Sequence, residues 1–354
     1  MSGLAGRLYR GETTFDFMKQ RRRWFTVSAV LITLSFGSLI VRRLDLSVDF
    51  TGGTVVEAPN RSGAGVTDVR SALATVGQEG ARIQVLTGEA QERMRVQTGS
   101  LAADDQDRMV EVIAESLGVT FDDTEVDAVG PTFGAQITRR ALEALAIFLL
   151  VVVLFISWRF EWKMALAGIV ALLHDLTITA GIYSLAGLEV TPATVIAVLT
   201  ILGYSLYDTV VVFDKISENV AELTGKNTFD EIANLSMNQV LMRSINTSAT
   251  SLLPIASLLF VGAFLLGAAT LREFALALFI GIAAGTYSSI FVATPLLDVW
   301  KSREPEWQRM SRRAERRGEP ATVGAPQMAA VPAAVDLSDG GAVPRPPRKR
   351  KKRR

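Results

Sequence analysis

The chain has 354 residues, no cysteine, one histidine (His174), 49% hydrophobic against 21% charged residues, and a mean hydropathy of +0.28. Disulfides, iron–sulfur clusters, zinc–thiolate sites and cysteine nucleophiles are excluded, and a lone histidine removes most Ser-His-Asp and multi-histidine metal sites. The formal charge of +1 hides a net of −10 over residues 45–138 and +9 over 301–354, as expected when parts of one chain face opposite sides of a membrane.

A bilayer core about 30 Å thick needs about 20 apolar residues in a helix. The first such run, 24–41, follows Arg21, Arg22 and Arg23. It is long for a signal-peptide core and no small-x-small cleavage pattern follows it, so it reads as a retained anchor. Residues 1–23 form a basic N-terminus expected in the cytoplasm, which places 42–138 outside. Arg42 and Arg43 oppose this orientation and are expected to snorkel at the outer interface.

The external segment alternates short strand-like runs with two helical patterns. A strand is expected over 48–58, a helix over 67–76, strands over 81–86 and 93–98, a helix over 104–117 and a last strand over 125–129. This βαββαβ order is that of a ferredoxin-like α+β fold. Such a domain between two spans reads as a docking surface rather than a catalytic one.

Five further spans are expected at 144–158, 164–188, 190–213, 247–271 and 274–297, so that 139–300 holds helices two to six. Within this region 214–246 is cytoplasmic, with Phe229, Ile232, Ala233, Ser236, Met237, Val240 and Leu241 on one stripe, read as an amphipathic helix on the inner membrane surface. Arg272 and Glu273 read as a helix-start device, and Gly281 and Gly285 have a spacing that favours close helix contact. Residues 301–354 read as a disordered basic tail, either merely solvated or drawn to anionic lipid or ribosomal RNA. The fold class is thus a six-helix polytopic membrane protein with one extracytoplasmic α+β domain and both termini in the cytoplasm.

Ionisable groups inside a span cost at least about 2.5 kcal/mol near the bilayer centre, so each needs a reason. Asp208 lies in the inner half of the fourth span, and Arg243 stands at a similar depth ahead of the fifth. The two can form a pair that a proton breaks, with a static contact gluing helices together as the alternative. His174 and Asp175 fall near the middle of the third span and are weaker candidates for a hydrated relay. Asp214, Lys215 and Glu218 read as a solvated helix end. No Walker motif, dinucleotide fingerprint or metal-ligand cluster is present, so neither ATP-driven work nor enzymatic catalysis is expected.

Several separate motifs then converge: VDFTGGT at 48–54, VGPTFG at 129–134, HD at 174–175, YSLYDTVVVFDKISEN at 204–219 and RSINTS at 243–248. Together they resemble the SecF branch of the SecD/SecF family, in the resistance-nodulation-division superfamily, over residues 24–300. Lys215 and Ser244 are mild departures from the family pattern. The resemblance singles out Asp49, Phe50, Thr51, Gly52, Gly53 and Thr54 with Gly130 and Pro131 as family-motif residues. It implies that Asp208 carries protons with Arg243 as its charged partner, protons being the coupling ion and no other cofactor or metal being needed. It also implies a SecD-like subunit supplying the other half of a twelve-helix bundle, the SecYEG translocon and a translocating preprotein as partners, the bacterial inner membrane as location, and use of the proton-motive force in export. A half-sized proton-coupled exporter of lipids or small molecules is the alternative, disfavoured by VDFTGGT and the small external segment.

Overall fold

The computed structural model describes residues 15–87, 92–265 and 269–317. Helix α1 (Arg21–Val41) leads into a two-residue strand β1 (Asp45–Leu46) and a single helical turn α2 (Val48–Thr51). The external domain follows as β2 (Gly53–Pro59), α3 (Val66–Ala74), β3 (Arg82–Thr87), β4 (Glu92–Thr98), α4 (Ala103–Leu117) and β5 (Glu125–Val129). Its sheet has the antiparallel order β3-β4-β2-β5, with Val56 opposite Val96 on one side and Val126 on the other. That is the strand order of a ferredoxin-like split βαβ unit. Val69 and Leu73 of α3 and Met109, Val110, Ile113 and Leu117 of α4 close over Val56, Ala58, Met94 and Val96 to form its core.

The single strand expected over 48–58 is instead a helical turn followed by β2. The cause is steric. At Gly52 (φ +74°) a Cβ would fall 2.8 Å from the Pro131 Cα, and at Gly53 (φ +150°) it would fall 2.3 Å from the Thr98 carbonyl oxygen. Only glycine fits these positions. From the other side, a Cβ on Gly134 would lie 2.8 Å from the Gly52 nitrogen, and the Thr138 hydroxyl donates to the Phe50 carbonyl at 3.3 Å. The VDFTGGT and VGPTFG motifs are therefore two halves of one contact, which fixes the external sheet to the start of α5 (Pro131–Arg159). Pro131 opens that helix, where its missing N–H costs nothing.

The remaining elements are α6 (Trp162–Ala186), β6 (Glu189–Val190), α7 (Pro192–Leu223), α8 (Phe229–Ser257) with a wider π-helical continuation (Leu258–Leu265), α9 (Ala269–Ser288) with a π-helical step (Ser289–Ala293), α10 (Thr294–Lys301) and α11 (Pro305–Arg317). Among the described residues six helices are long and apolar enough to cross a membrane. More than half of the third and sixth is buried (56% and 61%), against 11% of the second and fifth, so the third and sixth form the centre of the bundle. Small residues permit this. A Cβ on Gly281 would sit 2.2 Å from Ile201 and one on Gly285 2.9 Å from Ser205, so α9 and α7 pack almost backbone to backbone.

Three expectations are corrected on the side of the bundle away from the external domain. Residues 229–246 form no separate helix on the membrane surface, because no glycine or proline interrupts the chain from Phe229 to Leu253 and α8 runs on without a break. Its stripe of Phe229, Ile232, Ala233, Ser236, Met237, Val240 and Leu241 is buried in the protein. A 3.6-residue apolar stripe marks a covered face without saying what covers it. The expected tail begins as helix α11, whose Trp307 is buried edge-on to Phe229 with ring centroids 5.1 Å apart; residues 318–354 lie outside those described. Before α1, Phe17 and Met18 enter the same core, and Asn234 and Asn238 of α8 hold the backbone of Phe15 and Phe17 at 2.8–3.0 Å. Asp214 and Lys215 pair with Arg159 (2.6 Å) and Glu218 (2.9 Å), well before α7 ends at Leu223.

On the external side β1 and β6 pair in parallel, Asp45 beside Glu189. Arg95 of β4 reaches the bundle there, 3.1 Å from Glu189 and 3.9 Å from Glu273, while its Nε lies 3.3 Å from Glu57. Arg82 pairs with Asp45 in the same junction. Burial pushes the Glu189 carboxyl above its ordinary value, and Arg95 pulls it partly back. Glu273 thus belongs to the contact between domain and bundle rather than acting as a helix start. Arg42, exposed as a snorkelling side chain would be, donates to the Leu185 carbonyl at the end of α6 at 2.5 Å.

Candidate functional site

Among the described residues three aspartates are buried between the helices: Asp298, which pairs with Arg21 at the end away from the external domain, and the sequence-predicted Asp175 and Asp208. Asp175 of α6 is wholly enclosed: Ser205 of α7 and Ser288 of α9 donate to its Oδ2 at 2.5 and 2.8 Å, and His174 Nδ1 lies 3.2 Å from its Oδ1. The His174 ring stacks on Tyr287 with centroids 6.1 Å apart, and the Tyr287 hydroxyl donates to the Trp24 carbonyl at 3.2 Å. Next to this cluster Thr209 and Ser289 share a hydrogen bond at 3.0 Å. The result is a polar seam through α6, α7 and α9, closed around Asp175.

Asp208, one turn further along α7 than Ser205, faces α8 instead. Ser244 donates to its Oδ1 at 2.8 Å, while Oδ2 is buried with no hydrogen-bond partner among the described residues. The expected ion pair with Arg243 is not formed. The guanidinium donates to the Tyr207 hydroxyl at 3.0 Å, and both residues lie on the exposed side of the bundle. Ser244 occupies the contact with Asp208, and Arg243, projecting about 100° away from it, is turned to Tyr207 instead.

Matching depth brought Asp208 and Arg243 onto the same helix pair, but the groups that touch the two carboxylates are serines. Ser205 and Ser244 sit inside the quoted stretches 204–219 and 243–248, but nothing in those stretches marks either serine as a partner of a carboxylate. Ser288 and Tyr287 carry no signal either. Among the described residues no group of His, Asp or Glu side chains is arranged to hold a metal.

The C-terminal model of the SecD/SecF protein export membrane proteins matches residues 109–303, and the SecD/SecF GG motif matches 37–59. The chain belongs to the SecD/SecF family. Among its relatives, the SecF subunit of the protein translocase of Streptomyces coelicolor is 43% identical over 88% of this chain and 83% of that one. The corresponding subunit of Mycobacterium tuberculosis is 42% identical over 88% and 72%. Among solved structures, the crystal structure of SecDF from Thermus thermophilus, titled a translocon-associated membrane protein, superposes with a TM-score of 0.74 at 36% identity. That match covers 83% of this chain and 39% of SecDF, so this SecD/SecF chain spans about two-fifths of the single-chain relative. Six apolar helices and these relatives make it a membrane-embedded protein. The GG motif match holds the Gly52–Gly53 turn that locks the external sheet to α5.

Proposed function

We propose that this SecF-type subunit of a protein translocase works with a SecD-like subunit to couple the proton-motive force to the last stage of preprotein export through a SecYEG translocon. One observation carries the reading: the Asp208 carboxylate is buried with one oxygen that meets no donor among the described residues, directly behind an exposed Tyr207–Arg243 pair. A guanidinium facing lipid is costly, by at least about 2.5 kcal/mol near the bilayer centre. A second six-helix half covering this face would relieve that cost and complete a polar path around Asp208. The proton is the coupling ion and no further cofactor takes part. A proton gained at Asp208 weakens its attraction for the neighbouring guanidinium and alters what Ser244 can donate to, so helices α7 and α8 shift against each other. The Gly52–Gly53 contact and the Arg95 junction would pass that shift to the external domain, which holds the emerging polypeptide.

The basic ends and the acidic external domain support an orientation in a bacterial inner membrane with both termini on the cytoplasmic side. Single cysteines at Ser100 and Ala321 in this cysteine-free chain test that orientation with an impermeant thiol reagent on intact cells. Labelling at Ser100 alone is expected, and labelling at Ala321 from outside would overturn it. For the coupling itself, vesicles holding this chain with its SecD-like subunit and SecYEG are assayed with and without an imposed proton gradient. Wild type is expected to gain from the gradient and Asp208→Asn to gain nothing.

A further inference from the structure

At the end of the bundle away from the external domain, a cleft of about 330 Å³ lies between the start of α1 and the end of α10. Arg21, Arg22, Ser302 and Arg303 form its polar wall, with Phe25 and Val299 below them. Arg21 is already committed, 2.5 Å from the buried Asp298 and 3.6 Å from Asp230, and the Ser302 hydroxyl donates to the same two carboxylates at 3.0 and 2.6 Å. Arg22 and Arg303 are different: both are exposed, and neither guanidinium has a carboxylate partner among the described residues. Arg22 and Arg303 therefore leave two unpaired guanidinium groups at the mouth of the cleft.

Phe25 also begins an open apolar strip on one face of α1 that runs through Ala29, Val30 and Thr33 to Leu34. Its threonines do not make it polar. Thr26 donates to the Arg22 carbonyl at 2.8 Å and Thr33 to the Ala29 carbonyl at 2.7 Å, so both hydroxyl protons are used within the helix. From Phe25 to Leu34 the helix rises about 14 Å, close to the depth of one leaflet of a bilayer about 30 Å thick. A cationic cleft continued by an apolar strip about one leaflet long matches an anionic headgroup and the acyl chain attached to it.

We infer that this cleft and strip bind one anionic phospholipid, its phosphodiester held between Arg22 and Arg303 and one acyl chain lying along α1 from Phe25 to Leu34. The site selects a single negative charge over a zwitterionic headgroup, whose own cation would face the two arginines. It pins the segment where α1, α8 and α10 meet through Arg21, Asp230 and Asp298. The inference rests on the membrane reading alone and stands whether or not Asp208 carries protons.

The test uses the full-length chain in vesicles of equal parts phosphatidylcholine and phosphatidylglycerol, with a phosphatidylglycerol carrying a photoreactive group on one acyl chain. Cross-links are mapped by peptide mass spectrometry and competed with unlabelled phosphatidylglycerol, phosphatidylcholine of the same chains, or inorganic phosphate. Labelling within residues 25–34 is expected, displaced by phosphatidylglycerol alone and reduced about tenfold in Arg22→Gln/Arg303→Gln. Arg309→Gln/Arg312→Gln, which removes the same charge from the exposed side of α11, should keep the label, and Ala29→Trp should lose it by covering the strip. Equal competition by phosphatidylcholine, or full labelling of the Arg22→Gln/Arg303→Gln chain, would overturn the proposal. Displacement by phosphate alone would overturn the lipid as its occupant and leave a free-anion site. Because the competition arms use the wild-type chain, they decide the matter even if a variant folds poorly.

Discussion

Asp175 and Asp208 lie in the same bundle, both buried, and differ in how many donors surround them. Asp175 has two serine hydroxyls on one oxygen and an imidazole beside the other. Asp208 has one serine, and its second oxygen has no hydrogen-bond partner among the described residues. A carboxylate whose lone pairs are filled from three helices holds those helices together, and changing its charge disrupts all the contacts at once. A carboxylate with one weakly held side can change state while its surroundings stay in place. Packing against protein on every side further separates Asp175 from Asp208, which has an exposed tyrosine and arginine just behind it.

The largest expected effect breaks this contrast at Asp208. Asp208→Asn keeps the shape and the Ser244 contact but cannot titrate, so export driven by the proton gradient should fall to about a tenth of wild type or less while assembly with the SecD-like subunit persists. A gradient effect equal to wild type in reconstituted vesicles would return Asp208 to the role of packing residue.

The second effect is the converse at Asp175. Asp175→Ala strands two buried hydroxyls and an imidazole, and should cost about 2–4 kcal/mol of stability, seen as a lower thermal midpoint in detergent. Whatever fraction folds should still respond to the gradient. If Asp175→Ala instead melts like wild type and loses the gradient response, the roles of the two aspartates are exchanged.

Third, Gly53→Ala tests the lock between sheet and α5. A methyl group 2.3 Å from the Thr98 carbonyl forces the turn open, with an expected loss of about 1–3 kcal/mol and protease cleavage near residue 53. Resistance equal to wild type would show that the motif serves something other than this contact.

The smallest effect lies outside the membrane, where Glu189 is buried but paired. Its pKa stands above the ordinary 4.5, so the folded chain keeps this proton at pH values where the unfolded chain has lost it. The stability it contributes is present below 4.5 and is lost as pH rises through the raised folded value. Glu189→Gln should therefore flatten part of the fall in thermal midpoint between acid and neutral pH, by less than about 1 kcal/mol. An unchanged pH profile would mean that Glu189 remains ionised throughout.

The six helices and the strand order of the external domain were legible because apolar length and alternation are local signals. What escaped was set by contacts between distant residues. The turn at Val48–Thr51 depends on Pro131 and Thr98, neither of which its own residues announce. The stripe on α8 was visible, yet its cover, Trp307 and the segment around Phe17, lies at the far ends of the chain. For the candidate site, the aspartates and Arg243 stood out because charge in an apolar run is rare. Ser205, Ser244 and Ser288 did not, since a serine in a helix costs little wherever it points and only the fold shows which ones meet a carboxylate.

Helix α8 runs without a glycine or proline from Phe229 to Leu253 before Pro254 and the wider turns of Leu258–Leu265 loosen it. Ser244, its contact with Asp208, stands about 22 Å from the lower end at 1.5 Å per residue. A stiff rod pushed near its middle tilts as a lever, and Asn234 and Asn238 fasten the chain segment before α1 to its lower arm. Under the proposed coupling, a displacement at Ser244 would be carried along α8 to the segment around Phe15 and Phe17, so a proton taken up at Asp208 would also be felt at the end of the bundle away from the external domain.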